Sequence, residues 1–270
     1  KTDSESEDLL DKYILEELNL LEEIVHDSIS NYKPDVAIRE FVKFLDILNN
    51  WYIRRNRERF WNEDIKAFNV LYKVLIEFCE LLAPFAPFIS EYIYKNLVGT
   101  SVFFERFDLN KKYKKTSLLD DMRKIQTVIS VGKLIREKYK LRNRLPLSKI
   151  TIVGIDLSKY SKLITDELNV KEIEYLNDID SFAESYIYLI TPKIGLRLGS
   201  KLKDIIPAVK NGKYKYKDDK IVILINNEEI ELNSDEFEIR LSIKNNIEAC
   251  EVLPDNTAVI IMDINISKEL

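Results

Sequence analysis

Residues 50–61 read Asn50-Trp51-Tyr52-Ile53-Arg54-Arg55-Asn56-Arg57-Glu58-Arg59-Phe60-Trp61, in which four arginines lie between two pairs of aromatic residues. A guanidinium group binds phosphate bidentately and stacks on planar rings, and an indole presents its face to an unpaired base. These are the side chains with which a protein holds the loop of an RNA. A plainer account is equally open: Trp51, Tyr52, Phe60 and Trp61 form part of a core, and the arginines are a solvated face paired with acidic helices. If the segment is a continuous α-helix, Asn50, Arg54 and Arg57 share a stripe at i, i+4 and i+7, and Trp51 lies one turn from Arg55.

A second set of basic residues follows. The net charge of −5 conceals a strong segregation: residues 1–30 hold ten acids against two bases, whereas residues 106–149 hold fourteen bases against four acids. A chain that is acidic overall but concentrates positive charge locally can hold a polyanion on that face alone. Within this stretch Lys133, Arg136 and Lys140 fall on one helical stripe, read as opposite Met122, Ile125 and Ile129. Arg142-Asn143-Arg144 follows them, and Lys111, Lys112, Lys114 and Lys115 precede them. The acidic ends, residues 1–30 and 226–270, suit a competing role as a module that docks onto a basic protein partner.

The elements that must position these residues fall into two regimes that change near Pro146. Up to about Tyr139 the apolar residues recur at helical spacing. The first helix carries Leu10, Ile14, Leu18, Leu21 and Val25. The second starts at Pro34-Asp35 and places Ile38, Phe41, Leu45, Leu48 and Tyr52 on one stripe. The third, from about Asp64 to Leu82, stops at Ala83-Pro84-Phe85-Ala86-Pro87, because each proline removes an amide donor and restricts the residue before it. A short fourth helix over Phe88–Leu97 and a long fifth over Ser117–Tyr139 complete an antiparallel bundle.

Beyond Pro146 the pattern becomes short β-rich runs: Lys149–Ile155, Val170–Leu176, Ser185–Ile190, Ile221–Ile225, Glu229–Leu232, Phe237–Ile243, Ile247–Leu253 and Thr257–Ile264. Helical stretches at about Leu157–Glu167 and Ser200–Lys210 interrupt them, which gives a small α+β domain. Asn226-Asn227 suits a tight hairpin turn. The expected fold is therefore multi-domain, α then α+β, with a helical bundle over 1–145 and an α+β domain over 146–270. The final Ser267-Lys268-Glu269-Leu270 reads as a cap and first turn of a further helix, so the chain is expected to stop at the front edge of another element.

Scarcity narrows the chemistry. The 270 residues include six Gly, where average usage of about 7 % would give roughly 19, and the six form no phosphate-cradling loop. The single His26 cannot make a two-histidine metal motif, and it is expected to have a surface or packing role. Cys79 and Cys250 make neither a zinc knuckle nor a disulfide framework, and free thiols suit a reducing, cytoplasmic compartment. No metal site is expected. No basic leader precedes an apolar run, and no stretch of ~18 apolar residues appears. The carboxylate pairs Asp120-Asp121 and Asp218-Asp219 have no His, Cys or Gly-rich loop beside them, so a self-contained enzyme is not expected.

The run Asn50-Trp51-Tyr52-Ile53-Arg54-Arg55, with Arg57, Glu58, Arg59, Phe60 and Trp61, resembles the signature that opens the anticodon-binding helical domain of isoleucyl-tRNA synthetases. Leu82-Ala83-Pro84-Phe85-Ala86-Pro87-Phe88 resembles a helix end shared with the valine and leucine enzymes. Ser101-Val102, Arg142-x-Arg144-x-Pro146-Leu147-Ser148, Glu167-Leu168-Asn169-Val170-Lys171 and Gly195-Leu196-Arg197-Leu198-Gly199 extend the resemblance into the junction region after the bundle. One departure is Phe103, where the family commonly has His.

The resemblance implies a bundle of the anticodon-binding type, followed by a junction domain. It implies tRNA(Ile) as partner, with Asn50, Trp51, Arg54, Arg55, Arg57, Arg59, Trp61, Lys133, Arg136, Lys140, Arg142 and Arg144 as tRNA-binding residues and no catalytic residue. The family's enzymes attach isoleucine to tRNA with ATP and Mg, in a catalytic domain whose signature motifs are absent from these residues. The chain should therefore hold no cofactor and be inactive alone. Its other expected partner is the parent enzyme's own catalytic domain, with no membrane and a monomeric state. The valyl-type domain and the protein-docking module stand as alternatives.

Overall fold

The structure is a computed structural model that describes residues 6–105, 116–217, 219–225, 228–244 and 247–265. The chain divides into two compact units, Lys1–Met122 and Arg123–Leu270. Lys111, Lys112, Lys114 and Lys115, the Asn226-Asn227 turn, Asp218 and the terminal helix cap lie outside the described residues. No helix among the described residues is long and apolar enough to cross a membrane.

In the first unit α1 (Leu9–Ser30) begins where the Asp8 carboxylate accepts from the amides of Leu10 and Asp11, donors that the helix itself cannot satisfy. α2 (Pro34–Ile47) has proline in its first turn, where no amide is missed. It passes into a π-helical turn, Leu48–Ile53, and then into the short α3 (Arg57–Trp61). Asp64 caps α4 (Ile65–Leu82) through the amides of Lys66 and Ala67. The prolines end α4 as the sequence requires, and α5 (Pro87–Val98) closes on Gly99 at φ +87°.

Ile14, Leu18, Leu21 and Val25 are buried in the core shared by α1, α2 and α4, as their spacing demands. The α2 stripe differs from expectation. Ala37, Phe41 and Phe44 face the core with Leu48 and Tyr52, while Ile38 and Leu45 are 52 % and 40 % exposed. Phe44 displaces Leu45 because its ring stacks on Phe78 at 5.5 Å while Phe41 meets the same ring edge-on, also at 5.5 Å, and the aromatic trio buries more apolar surface.

The division between units falls inside α6 (Leu118–Lys138) rather than at the composition change near Pro146. The second unit continues with β1 (Leu147–Val153), α7 (Ser161–Leu168), β2 (Val170–Leu176), β3 (Ala183–Leu189), α8 (Thr191–Leu198), α9 (Leu202–Lys210), β4 (Tyr214–Lys217), β5 (Lys220–Ile225), β6 (Glu228–Leu232), β7 (Phe237–Ile243), β8 (Cys250–Val252) and β9 (Val259–Met262). A four-stranded sheet runs in the order β2-β1-β9-β8, with β1 and β2 parallel across the α7 crossover and the other pairs antiparallel. β3 pairs antiparallel with β7, and β4-β5-β6 form an antiparallel meander. Ile194, Ile205 and Val209 of α8 and α9 are buried against Ile221, Ile223, Ile230 and Leu232 of the meander.

Two elements in this unit were not expected. β4 is a four-residue Lys-Tyr alternation, and α8 is an eight-residue helix that contains Gly195. α8 is held through Arg197, which donates to both carboxylate oxygens of Glu236 and to the Glu231 carbonyl. The backbone geometry is least forgiving at Gly154, after β1: its φ is +102°, and a Cβ there would stand 2.7 Å from the Thr257 carbonyl oxygen. Gly154→Ala is expected to cost the second unit about 2 kcal/mol or more, read as a lower denaturation midpoint.

Candidate nucleic-acid interface

The arginine-rich segment is not a continuous helix. The Arg54 amide donates to the Asn49 carbonyl at 3.1 Å, a bond spanning five residues, and α3 restarts only at Arg57. Such π-turns insert one extra residue and re-aim the side chains that follow. The three-residue stripe of Asn50, Arg54 and Arg57 is therefore broken, although all three side chains are exposed. The Asn50 side-chain amide donates to Asp46 at 2.7 Å. Trp51 is half-buried, and the Arg55 guanidinium carbon lies 3.6 Å from its ring centroid, a stacked cation–π contact that matches the expected pairing. Trp61, the last residue of α3, is 75 % exposed.

The remaining members of the segment are structural. Tyr52 is fully buried and donates to Asp11 Oδ1 at 2.8 Å. Phe60 packs against Tyr52 and Phe68 at centroid distances of 6.2 and 5.2 Å. Arg59, expected on the RNA face, is instead enclosed by carboxylates. Its Nη1 and Nη2 donate to the two oxygens of Asp11 at 2.9 and 2.8 Å, its Nε donates to Asp64 at 2.7 Å, and Nη1 lies 3.1 Å from Asp8. The bonds to Asp11 raise the guanidinium pKa still further, and Arg59 in turn holds Asp64 below the usual carboxylate range. Burial, reinforced by the bond to Asp11, pushes the Tyr52 phenol well above its ordinary value.

Asp11, at the centre of this network, is not among the residues singled out by type and spacing. A signal was present: Asp11 lies three and seven residues before Ile14 and Leu18, on the same stripe, so it had to be buried and therefore paired.

In the second unit the expected stripe of Lys133, Arg136 and Lys140 is divided by burial. Arg136 is 1 % exposed. It lies seven residues after Ile129, two turns along the helix, so it belongs to the buried face rather than the opposite one. Its Nη1 donates to the carbonyls of Arg142 and Leu145, both at 3.0 Å, and its Nη2 to those of Leu168 and Asn169, at 2.6 and 3.1 Å. Desolvation lowers its pKa. Arg136 thus leaves the interface set together with Arg59. Lys133 reaches Glu167 at 3.2 Å. Lys140, Arg142 and Arg144 are exposed. Beside them a cleft of about 370 Å³ is lined by Lys133, Glu137, Leu141, Arg142 and Asn143.

The exposed cations form one set in each unit: Arg54 and Arg57, beside exposed Trp61 and the partly buried Trp51–Arg55 stack, in the first, and Lys140, Arg142 and Arg144 in the second. Each set offers phosphate-binding groups, and the first adds ring faces for bases.

Residues 11–152 match the family described as the anticodon-binding domain of tRNA ligase. Over nearly all its length the chain is also similar to proteins named isoleucine–tRNA ligase. It is 31 % identical over 297 residues to that of Rickettsia bellii, covering 98 % of this chain and 26 % of the relative. It is 33 % identical over 284 residues to that of Chlamydia caviae, covering 97 % and 27 %. With that of Clostridium kluyveri the identity is 31 % over 288 residues, covering 98 % and 27 %. The chain spans about a quarter of the length of these relatives.

Two outcomes are expected from the buried charges. Arg136→Met strands the carbonyls that it now satisfies and should cost about 2–3 kcal/mol in chemical denaturation, the loss falling on the second unit. Were Arg136 instead a phosphate ligand, the same change would reduce RNA affinity and spare stability. The depressed Asp64 pKa contributes stability that is complete above the unfolded value of about 3.9 and is lost as pH falls through the folded value. Asp64→Asn should therefore flatten the acid limb of unfolding below about pH 4, followed by circular dichroism.

Proposed function

Because the chain belongs to the family of the anticodon-binding domain of tRNA ligase, we propose that it recognises the anticodon stem-loop of tRNA(Ile) as part of an isoleucine–tRNA ligase. The observation that carries this reading is the π-turn segment within the matched residues, where Arg54, Arg57 and Trp61 point to solvent and Arg55 stacks on Trp51. In this reading Trp61 and the Trp51–Arg55 pair take unpaired bases, while Arg54 and Arg57 fix the adjoining phosphates and base edges. Lys140, Arg142 and Arg144, with Lys133, track the backbone and set register without reading sequence. ATP and Mg belong to the catalytic domain of the parent enzyme, with which this chain works in the cytoplasm, as a monomer. Alone it catalyses no pyrophosphate exchange.

The use made of the acidic first helix favours RNA over a docking role. Asp8 and Asp11 serve caps and Arg59, Glu7 pairs with Lys12, and Glu16 accepts from the Thr116 hydroxyl at 2.7 Å. The charge of Asp8 and Asp11 is committed within the fold.

Fluorescence anisotropy with labelled tRNA(Ile) and tRNA(Val) tests the reading. We expect tighter binding to tRNA(Ile), a loss of about tenfold for Arg54→Ala and for Arg57→Ala, and a log affinity that falls linearly with log salt. Lys140→Ala should flatten that slope by about one unit. No binding to tRNA(Ile) at any salt would instead favour the docking module.

A further inference from the structure

We infer that Asp11 is a positioning residue for the RNA-contacting turn: a single buried carboxylate staples both ends of the segment that displays Arg54 and Arg57 and carries the Trp51–Arg55 stack. This inference rests on the proposed function and deepens it. Its two anchors are Tyr52, two residues before Arg54, and Arg59, two residues after Arg57. Both donate to Asp11 Oδ1, at 2.8 and 2.9 Å, and Arg59 adds a second bond to Oδ2 at 2.8 Å. Ser6 supplies the remaining donor to Oδ2. The carboxylate is wholly buried and has a donor for each direction in which it can accept.

The stapled segment needs such a device. It contains a π-turn and a break between two helical stretches, and three of its residues are arginines that repel one another. The segment's backbone bonds, from Arg54 to Asn49, Asn56 to Tyr52 and Phe60 to Asn56, are not those of one continuous α-helix. The Asp11 bonds reach it from α1, forty-one and forty-eight residues earlier in the chain. Arg59 extends the hold to the start of α4, since Asp64 caps that helix with one oxygen and accepts from Arg59 with the other. At the start of α1, Arg59 Nη1 lies 3.1 Å from Asp8 Oδ1, the same oxygen that caps the helix. Two helix N-termini and the turn between α2 and α3 are thus fixed to one another, and the exposed arginines inherit their orientation.

The molecule carries its own reporter. Its two tryptophans, Trp51 and Trp61, flank the stapled segment. Their emission therefore reads the turn rather than the fold at large.

The test is a double-mutant cycle in the full 270-residue chain, with Asp11→Asn, Arg54→Ala and the combination, at a temperature where circular dichroism shows all four proteins folded. Binding of tRNA(Ile) is measured by anisotropy, and tryptophan emission and acrylamide quenching are measured without RNA. If Asp11 acts through the displayed arginines, Asp11→Asn alters the emission and weakens binding about tenfold. In the Arg54→Ala background the same change then costs much less, because the contact it positions is already gone. A folded Asp11→Asn chain with unchanged emission and affinity overturns the inference, as does full additivity with Arg54→Ala. Should Asp11→Asn not fold, Tyr52→Phe removes one anchor bond and is read by the same cycle and the same criteria. If the wild-type chain and Arg54→Ala bind equally, the proposed function fails. If Arg54→Ala weakens binding and the anchor variants do not, only the positioning role fails.

Discussion

A carboxylate taken wholly out of water has to be given donors, and at Asp11 the first unit draws them from widely separated parts of the chain: Ser6, Tyr52 and Arg59. Removing the arginine alone would leave a buried charge uncompensated, a loss of several kcal/mol. Removing the aspartate would strand a guanidinium that also bridges the caps of α1 and α4. The geometry of the bundle at this end follows from that demand. Helix α1 must begin where it does, α2 must turn over at Tyr52, and α3 must bring Arg59 back. A continuous second helix, which the apolar spacing suggests, would keep Arg59 running away along the helix axis; the π-turn and the break at Arg54–Asn56 turn it toward Asp11.

The second unit meets the same constraint with the opposite charge. Arg136 is buried without a carboxylate among its hydrogen-bond acceptors: four backbone carbonyls from the 142–145 loop and the end of α7 accept from its Nη1 and Nη2, while its Nε is buried without a partner among the described residues. Carbonyls carry only partial charge, so desolvation is not fully compensated and the pKa falls. What the arrangement supplies is order. The loop bearing Arg142 and Arg144 would otherwise have no regular structure, and its backbone is held from within. Gly132 allows α7 to come close enough for this: a Cβ there would lie 2.7 Å from Leu168 Cδ1.

How much of this could be read from the residues depends on whether the determining interaction is local. The stripe of α1, the proline stop after α4 and most strand positions are local, and they stand where periodicity puts them. The π-turn is not, since nothing in Leu48–Ile53 requires five-residue bonds. They accompany the bonds that Tyr52 and Arg59 make to Asp11, forty-one and forty-eight positions earlier. α8 and β4 were missed because one is a short helix containing glycine and the other a four-residue lysine-rich run, and both are stabilised by what they pack on. Arg136 is a different case. Its spacing of seven from Ile129 places it on the buried face, a signal that arginine's usual preference for the surface obscures.

Composition therefore identifies which residues are able to contact RNA, and partner satisfaction decides which ones are available to do so. Arginine is ambiguous in sequence because the planar fork that grips a phosphate grips a carboxylate or paired carbonyls equally well. Of the arginines expected at the interface, Arg59 and Arg136 have their forks filled from within the fold, and each lies next to others that are displayed. This proximity has a physical basis. A displayed guanidinium discriminates only if its backbone is rigid, and a flexible loop would lose much of the binding energy to ordering on contact. In the proposed reading, buried and displayed cations in one short segment would do complementary work: the buried member fixes the backbone before the ligand arrives, and the exposed members meet it already ordered. The local concentration of positive charge that singles out these segments counts both kinds together, and only their burial separates them.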